Sequence, residues 1–348
     1  MIKFLLFPFG VLYRLLSQFN RYVTKPQKLY RPVISVGNIT WGGSGKTPTV
    51  IAVAQYVLNS GKIPVILSRG YARKNKKTKN VIVRDCENIL SDVSSSGDEP
   101  YMMACRLKCP IIVGSDRIKS AELAKKFNPD VFILDDGFQH WKIERDFDIV
   151  CINSLNPFGN GMIIPAGILR EKKQALKRAH LTILTNCALA DKKKLICLKR
   201  EIFDITGAYP IEVSLTGHTL FNMFENRAAD STETLRKNTD FVVVTAIGSP
   251  DNFIKTVTDF GLKVKRKIIF ADHHKYDVND ILKISETLKD NEKIVTTAKD
   301  GVKIKEVADK DIMKKIYVFN VSIKFDYGKE LFEKNIKNLL GENDEKNI

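Results

Sequence analysis

Residues 31–47 read Arg31-Pro-Val-Ile-Ser-Val-Gly-Asn-Ile-Thr-Trp-Gly-Gly-Ser-Gly-Lys-Thr47. The first half is a short, β-branched apolar run, the pattern of a buried strand. The second half is a glycine-rich turn ending in Gly45-Lys46-Thr47, and Val50-Ile-Ala-Val-Ala-Gln-Tyr-Val-Leu58 behind it predicts a helix. Strand, glycine loop, Lys-Thr and helix in that order form a phosphate-binding loop. Glycines leave no Cβ between backbone N–H groups and a phosphate, and the helix N-terminus adds its dipole. The lysine reaches the terminal phosphates, and the threonine hydroxyl can ligate magnesium. Thr40, Trp41, Gly42, Gly43, Ser44, Gly45, Lys46 and Thr47 are thus the expected binding residues for a nucleoside triphosphate. Thr40 stands where such loops usually open with Gly.

Working outward, short apolar runs recur at 33–36, 64–68, 81–83, 110–113, 131–134, 148–152 and 181–184, with helical stretches between them. That alternation predicts an α/β fold: a parallel sheet of the phosphate-loop NTPase type, with helices on both faces. A charged stretch leads to Tyr209-Pro210, after which the alternation restarts at 211–215, 241–245, 264–270, 294–297 and 316–321. The expected organisation is an N-terminal helix over 1–25, a kinase domain over 26–208 and a smaller α/β domain over 209–348. The final helix of the smaller domain is free to pack back on the first. The polar segment 226–237 reads as an exposed connection.

The chain of 348 residues is 44% hydrophobic and carries a formal net charge of +16. Such a surplus favours an anionic partner: nucleic acid, a phosphorylated substrate or an anionic membrane face. The lysines are dispersed, and no nucleic-acid-binding module or aromatic-basic stripe is present, which argues against nucleic acid. Six cysteines form no Cys-x-x-Cys pair. They read as reduced, buried thiols rather than as a zinc site or a disulfide framework. Between Lys3 and Arg14 lie ten uncharged, mostly apolar residues, too few to span a bilayer. The segment reads as an amphipathic helix in a membrane interface, with internal packing as the alternative.

The run Val131-Phe-Ile-Leu-Asp-Asp136 ends a strand in two carboxylates, Asp135 and Asp136, and such a strand end can deliver a carboxylate to a magnesium ion beside the loop. Gln139 and His140 follow closely. Arg69, Arg117, Arg170 and Glu171 lie after other apolar runs, at the sheet edge where α/β proteins bind ligands. Asp98 and Glu99, in Gly97-Asp98-Glu99-Pro100, read by themselves as helix-start residues. The pair His273-His274 reads as structural or as a proton-transfer site. Thr297-Ala-Lys-Asp300 is similar to a guanine-reading loop, but its lysine comes one place late.

Taken in order, these motifs resemble the tetraacyldisaccharide 4'-kinase family, which makes the 4'-phosphate of lipid A in lipopolysaccharide synthesis. The resemblance rests on Val36-Gly-Asn-Ile39, Gly42-Gly-Ser-Gly-Lys-Thr-Pro48, Ser68-Arg-Gly-Tyr71, Gly97-Asp-Glu-Pro100, Leu134-Asp-Asp-Gly-Phe-Gln-His140, Pro165-Ala-Gly167, Leu169-Arg-Glu171, Asp272-His273 and Thr297-x-Lys-Asp300. It implies an enzyme that uses ATP and Mg2+ on an acylated glucosamine disaccharide 1-phosphate, at the cytoplasmic face of the bacterial inner membrane. No obligate protein partner is expected. It further implies that Asp98 and His273 act together as the base, with Lys46, Asp135 and Asp136 as catalytic residues. Thr47, Asp136 and Glu99 would hold the metal; Arg69, Arg117, Gln139, His140, Arg170 and Glu171 would meet the substrate. Ile168 and the looser Ala246-Ile-Gly-Ser-Pro250 depart from the family pattern in loops only. The competing reading is a nucleotide-switch ATPase or GTPase. The switch ATPases that share the Gly-Gly-x-Gly-Lys-Thr core carry a lysine where Trp41 stands.

Overall fold

The computed structural model describes residues 2–70, 73, 80–225, 227–228, 232–272 and 274–341. Its strands are β1 (Val33–Gly37), β2 (Pro64–Ser68), β3 (Asn80–Arg84), β4 (Ile111–Gly114), β5 (Val131–Asp135), β6 (Phe147–Asn153), β7 (Leu181–Thr185), β8 (Ile211–Asn222), β9 (Arg227–Ala228), β10 (Asp240–Thr245), β11 (Lys263–Ile269), β12 (Glu292–Thr297) and β13 (Ile316–Tyr327). The helices are α1 (Ile2–Val23), α2 (Lys46–Asn59), α3 (Val93–Ser96), α4 (Asp98–Arg106), α5 (Arg117–Leu123), α6 (Lys192–Thr206), α7 (Thr232–Asn238), α8 (Pro250–Asp259), α9 (Val278–Glu286), α10 (Ala298–Ile304), α11 (Lys310–Met313) and α12 (Lys329–Leu339).

All the strands belong to one sheet, ordered β11-β10-β12-β13-β8-β7-β6-β1-β5-β2-β4-β3, with β9 paired on β8. From β8 to β4 every pairing is parallel, as is every pairing from β11 to β13. The two parallel blocks meet where β8 and β13 run antiparallel along most of their length. Strand β1 lies at the centre of the larger block and is buried at every position. Continuous burial explains its unbroken apolar run, because helices cover a parallel sheet on both faces. Alternate residues feed opposite layers. Ile34 and Val36 pack with Val50, Val53 and Val57 of α2, whereas Val33 packs with Leu67, Phe132 and Ala121 on the other side.

Three local expectations change. The run at 81–83 becomes β3, an edge strand antiparallel to β4, because an apolar run carries no information on strand direction. The run at 211–215 extends to Asn222, since β13 supplies a backbone partner all the way. The polar segment near 226–237 contains β9 and most of α7. Cys109, Cys151 and Cys187 are buried as expected, but Cys86, Cys105 and Cys197 are exposed.

Helix α12 lays Phe332 and Ile336 into the core of the larger block, and the Phe332 ring meets Tyr56 of α2 edge-on at 6.4 Å. At the other end of the chain, α1 leaves Phe9, Leu12, Leu16 and Phe19 more than half exposed. One face of α1 does touch the body: a Cβ on Gly10 would lie 3.2 Å from the Ile163 carbonyl oxygen. Among the described residues, no helix is long and apolar enough to cross a membrane.

In the smaller block, the buried Asp300 carboxylate accepts hydrogen bonds from Thr245 Oγ1 at 2.9 Å, Ala246 N at 3.0 Å and Thr297 Oγ1 at 2.9 Å. It also pairs with Lys303 at 2.9 Å. These bonds pin α10 to the ends of β10 and β12. Removing one partner of a buried pair costs about 3–5 kcal/mol. Asp300→Ala is therefore expected to lower unfolding stability by that order in urea titration.

Candidate active site

The site stands at the C-terminal ends of β1, β2 and β5, where open α/β sheets hold ligands. Its floor is the loop between β1 and α2. Asn38 is fully buried and donates to Ser44 Oγ at 2.7 Å. Asn153 Nδ2 donates to the Gly43 carbonyl at 3.1 Å, and Thr185 Oγ1 to the Ser44 carbonyl at 3.2 Å. Gly45 has φ +79°, and a Cβ there would come within 2.7 Å of Thr185 Cγ2, so only glycine fits. A Cβ at Gly42 or Gly43 would meet nothing within 4 Å, which leaves that side of the loop open to a ligand. From the outside, the Trp41 N–H donates to the Ile168 carbonyl at 2.6 Å, and Thr40 pairs with Leu169. Thr47 lies half-buried in the first turn of α2.

Lys46 Nζ lies 3.5 Å from Asp136 Oδ1. Arg170 Nη1 contacts both oxygens of the same carboxylate at 2.9 Å and Gln139 Oε1 at 3.5 Å. Burial pushes the Asp136 pKa up, but the Lys46 and Arg170 charges outweigh it and hold the group below the usual carboxylate range. Asp135 is the opposite case: burial first, then the charges of Glu99 and Asp136, raise it to about 6. Its one neutral support is Ser68, which donates to Oδ2 at 2.8 Å. The buried Arg117 guanidinium donates to the carbonyls of Asp135 and Asp136, at 2.5 and 3.3 Å. Arg117 thus braces the strand end from beneath. Gln139 Nε2 links the Asn38 carbonyl to Glu171, at 2.9 Å each, and Arg178 holds Glu171 at 2.9 Å. Arg69 is exposed beyond β2. Tyr71 lies outside the described residues.

Asp98 opens α4, with Gly97 in the cap position. Lys299 from α10 lies 3.2 Å from Glu99 Oε1 and 3.8 Å from Asp98 Oδ2. Burial lowers the Lys299 pKa, but Glu99, Asp98 and Asp272 overcome that and raise it. A cation from the smaller block thus sits on the carboxylates of the larger one. His273 lies outside the described residues. Its neighbour His274 is engaged with Asp280 Oδ2 at 2.8 Å and stacks on Phe270. Asp300 points inward, away from any base-reading role. Between α2, α4, α10, α12, β8 and β13 lies a cavity of about 720 Å³, with Pro48, Gln55, Tyr101 and Phe221 among its walls.

Sequence reasoning gave no role to the supporting residues Asn38 and Ser68, although both lie within quoted motifs, and it missed Asn153, Arg178 and Thr185, which are scattered along the chain and carry no motif by themselves. Lys299 was visible within Thr297-Ala-Lys-Asp300, but nothing in that spacing pointed to Asp98 and Glu99.

As for magnesium, no group of three His, Cys, Asp or Glu side chains among the described residues is arranged to hold a metal. Mg2+ commonly takes one or two carboxylates together with substrate phosphates, and it keeps its waters. Glu99 and Asp136 lie close enough to Asp135 to add to the upward push of burial on its pKa, and such a gathering of acids beside the loop fits a partial site of this kind.

A family model described as Tetraacyldisaccharide-1-P 4'-kinase matches residues 2–341. Similar proteins include the tetraacyldisaccharide 4'-kinase of Halothermothrix orenii, 37% identical over 88% of this chain and 83% of its own length. That of Elusimicrobium minutum is 38% identical over 86% of this chain and 80% of its own. Among solved structures, LpxK from Aquifex aeolicus, crystallised in complex with ATP, aligns with a TM-score of 0.78 at 30% identity, over 98% of this chain and 100% of that one.

Burial, together with the charges of Arg117 and Arg145, lowers the His140 pKa to about 4. The imidazole is then neutral at physiological pH and offers hydrogen bonds rather than charge. The expected outcome is a His140 ring resonance that stays flat from roughly pH 5.5 to 8 in an NMR titration, the window in which an ordinary histidine titrates.

Proposed function

The chain belongs to the tetraacyldisaccharide 4'-kinase family and phosphorylates the 4'-position of a tetraacyl disaccharide 1-phosphate in lipid A synthesis, and we propose that the cleft at Lys46 and Asp136 is where it does so. The observation that carries this reading is the 3.5 Å approach of the loop lysine to the strand-end carboxylate, beside an open glycine loop. ATP lies with its phosphates on residues 40–47, and Lys46 offsets charge on the γ-phosphoryl group. Thr47, Asp136 and Glu99 are the residues that would hold Mg2+, which supplies charge neutralisation on the phosphates. The proposed base is Asp98 with His273. The 4'-hydroxyl gives up its proton to this pair as its oxygen bonds to phosphorus, and the bond to the leaving ADP oxygen breaks. Arg69, Gln139, His140, Arg170 and Glu171 line the acceptor side, and Arg117 supports it from below. The nucleotide-switch reading finds no support among the matching families.

Residues 26–208 and 209–348 act in this proposal as two halves that close on their substrates. The Lys299 bridge to Asp98 and Glu99 supports closure, because it joins the halves at the reacting centre. The exposed apolar side of α1 supports docking on an anionic membrane, at the cytoplasmic face of the inner membrane. There the net charge of +16 adds attraction to the apolar contact.

Lys46→Ala is expected to abolish phosphoryl transfer while the chain still folds, as a parent-like far-UV circular dichroism spectrum would report. Parent-like turnover would overturn the site assignment. Asp98→Ala should reduce kcat by about 10²–10⁴-fold with ATP affinity kept, as is usual for loss of a general base. His273→Ala should do comparable damage, and the double variant should lose less than the product of the two. Independent losses would refute the pair. Deleting residues 1–20 should weaken flotation with anionic vesicles and raise the KM for vesicle-borne acceptor while ATP binding persists. Undiminished flotation would place α1 in a purely packing role.

A further inference from the structure

We propose that the Trp41 ring is a stacking platform for a sugar ring of the acceptor, a role that rests on the kinase reading above. Trp41 is 59% exposed although it lies within the phosphate loop. Its backbone is strapped to the 163–170 segment through Ile168, and its neighbour Thr40 through Leu169. That same segment touches α1, since Gly10 packs against the Ile163 carbonyl. The 163–170 segment thus links the loop that carries the indole to the apolar helix, the side from which the proposed function brings a lipid-borne acceptor.

The surroundings of the ring select the ligand. The Arg170 guanidinium lies 5.9 Å from its centroid. Arg170 also holds the Asp136 carboxylate at 2.9 Å and approaches Gln139 at 3.5 Å. An exposed aromatic ring with a guanidinium over one face, itself joined to a carboxylate and an amide, suits a pyranose, which has an apolar C–H face and a rim of hydroxyls. An acyl chain would leave those polar neighbours unmatched.

The chain contains two tryptophans. With 5-fluorotryptophan incorporated, the Trp41 signal in ¹⁹F NMR is identified by its loss in Trp41→Phe. The full-length protein is titrated separately with deacylated glucosamine disaccharide 1-phosphate, with Mg-ATP and with sugar-free phosphatidylglycerol vesicles. The expected result is a saturable shift of the Trp41 signal with the disaccharide. In turnover assays, Trp41→Ala should raise the acceptor KM by about 3- to 10-fold, the scale of one aromatic stacking contact. Trp41 serves the phosphate loop through its backbone, which Trp41→Ala keeps, so the acceptor KM should rise by a clearly larger factor than the KM for ATP, and a parent-like circular dichroism spectrum reports an intact fold. Trp41→Phe, which keeps a ring, should fall within about twofold of the parent.

A signal that answers to Mg-ATP alone would make the ring a base platform, and one that answers to vesicles alone would make it a membrane contact. Either result, or no response, overturns the proposal, as does a change in ATP KM without one in acceptor KM. The Lys46→Ala measurement separates the two levels. If that variant turns over normally, the kinase-site reading fails; if it is inactive while Trp41 ignores the disaccharide, only this inference fails.

Discussion

Asp136 stands in the left-handed backbone region at φ 53°, directly past the end of β5, with Lys46 and Arg170 on its carboxylate. Much of the surrounding architecture follows from that one arrangement. Non-glycine residues adopt such a φ infrequently, Asp and Asn most readily, and neighbouring structure helps to hold it. Here Arg117 holds the carbonyls of residues 135 and 136 from beneath. Lys46, Arg170 and Arg117 outweigh the upward push of burial and hold the carboxylate below its usual range.

The same economy of charge governs the remaining acids. Among the described residues Ser68 is the side chain that donates to the Asp135 carboxylate, and burial first, then the charges of Glu99 and Asp136, raise its pKa. Glu99 and Asp98 take their cation from a distant part of the chain, Lys299. Placing the cation of one block on the anions of the other couples block geometry to the electrostatics of the cleft. The Asp300 network serves the same end at one remove, because it fixes the helix that carries Lys299.

The long antiparallel pairing of β8 with β13 is the mechanical counterpart of that bridge. It joins two parallel blocks into one sheet, while α12 crosses back to bury Phe332 and Ile336 against α2. The chain thus leaves the larger block, builds the smaller one and returns, so that its two halves share a core as well as a cleft.

The sequence by itself determined the phosphate loop, the run of buried strands and the acidic strand end, since each is a contiguous pattern with a local cause. Glycines at 42, 43 and 45, the Lys-Thr pair and the apolar residues of β1 and β5 state their roles within a few positions of one another. The family was legible too, because it depends on the order of such patterns. Strand direction at β3, the length of β8 and the convergence of Lys299 on Asp98 and Glu99 were not legible. Backbone pairing and long-range ion pairs join residues as far apart as 99 and 299, and no local periodicity encodes which partner a strand or a charge will meet. Only the folded chain, by bringing those segments within hydrogen-bonding distance, decided which charges would share the cleft.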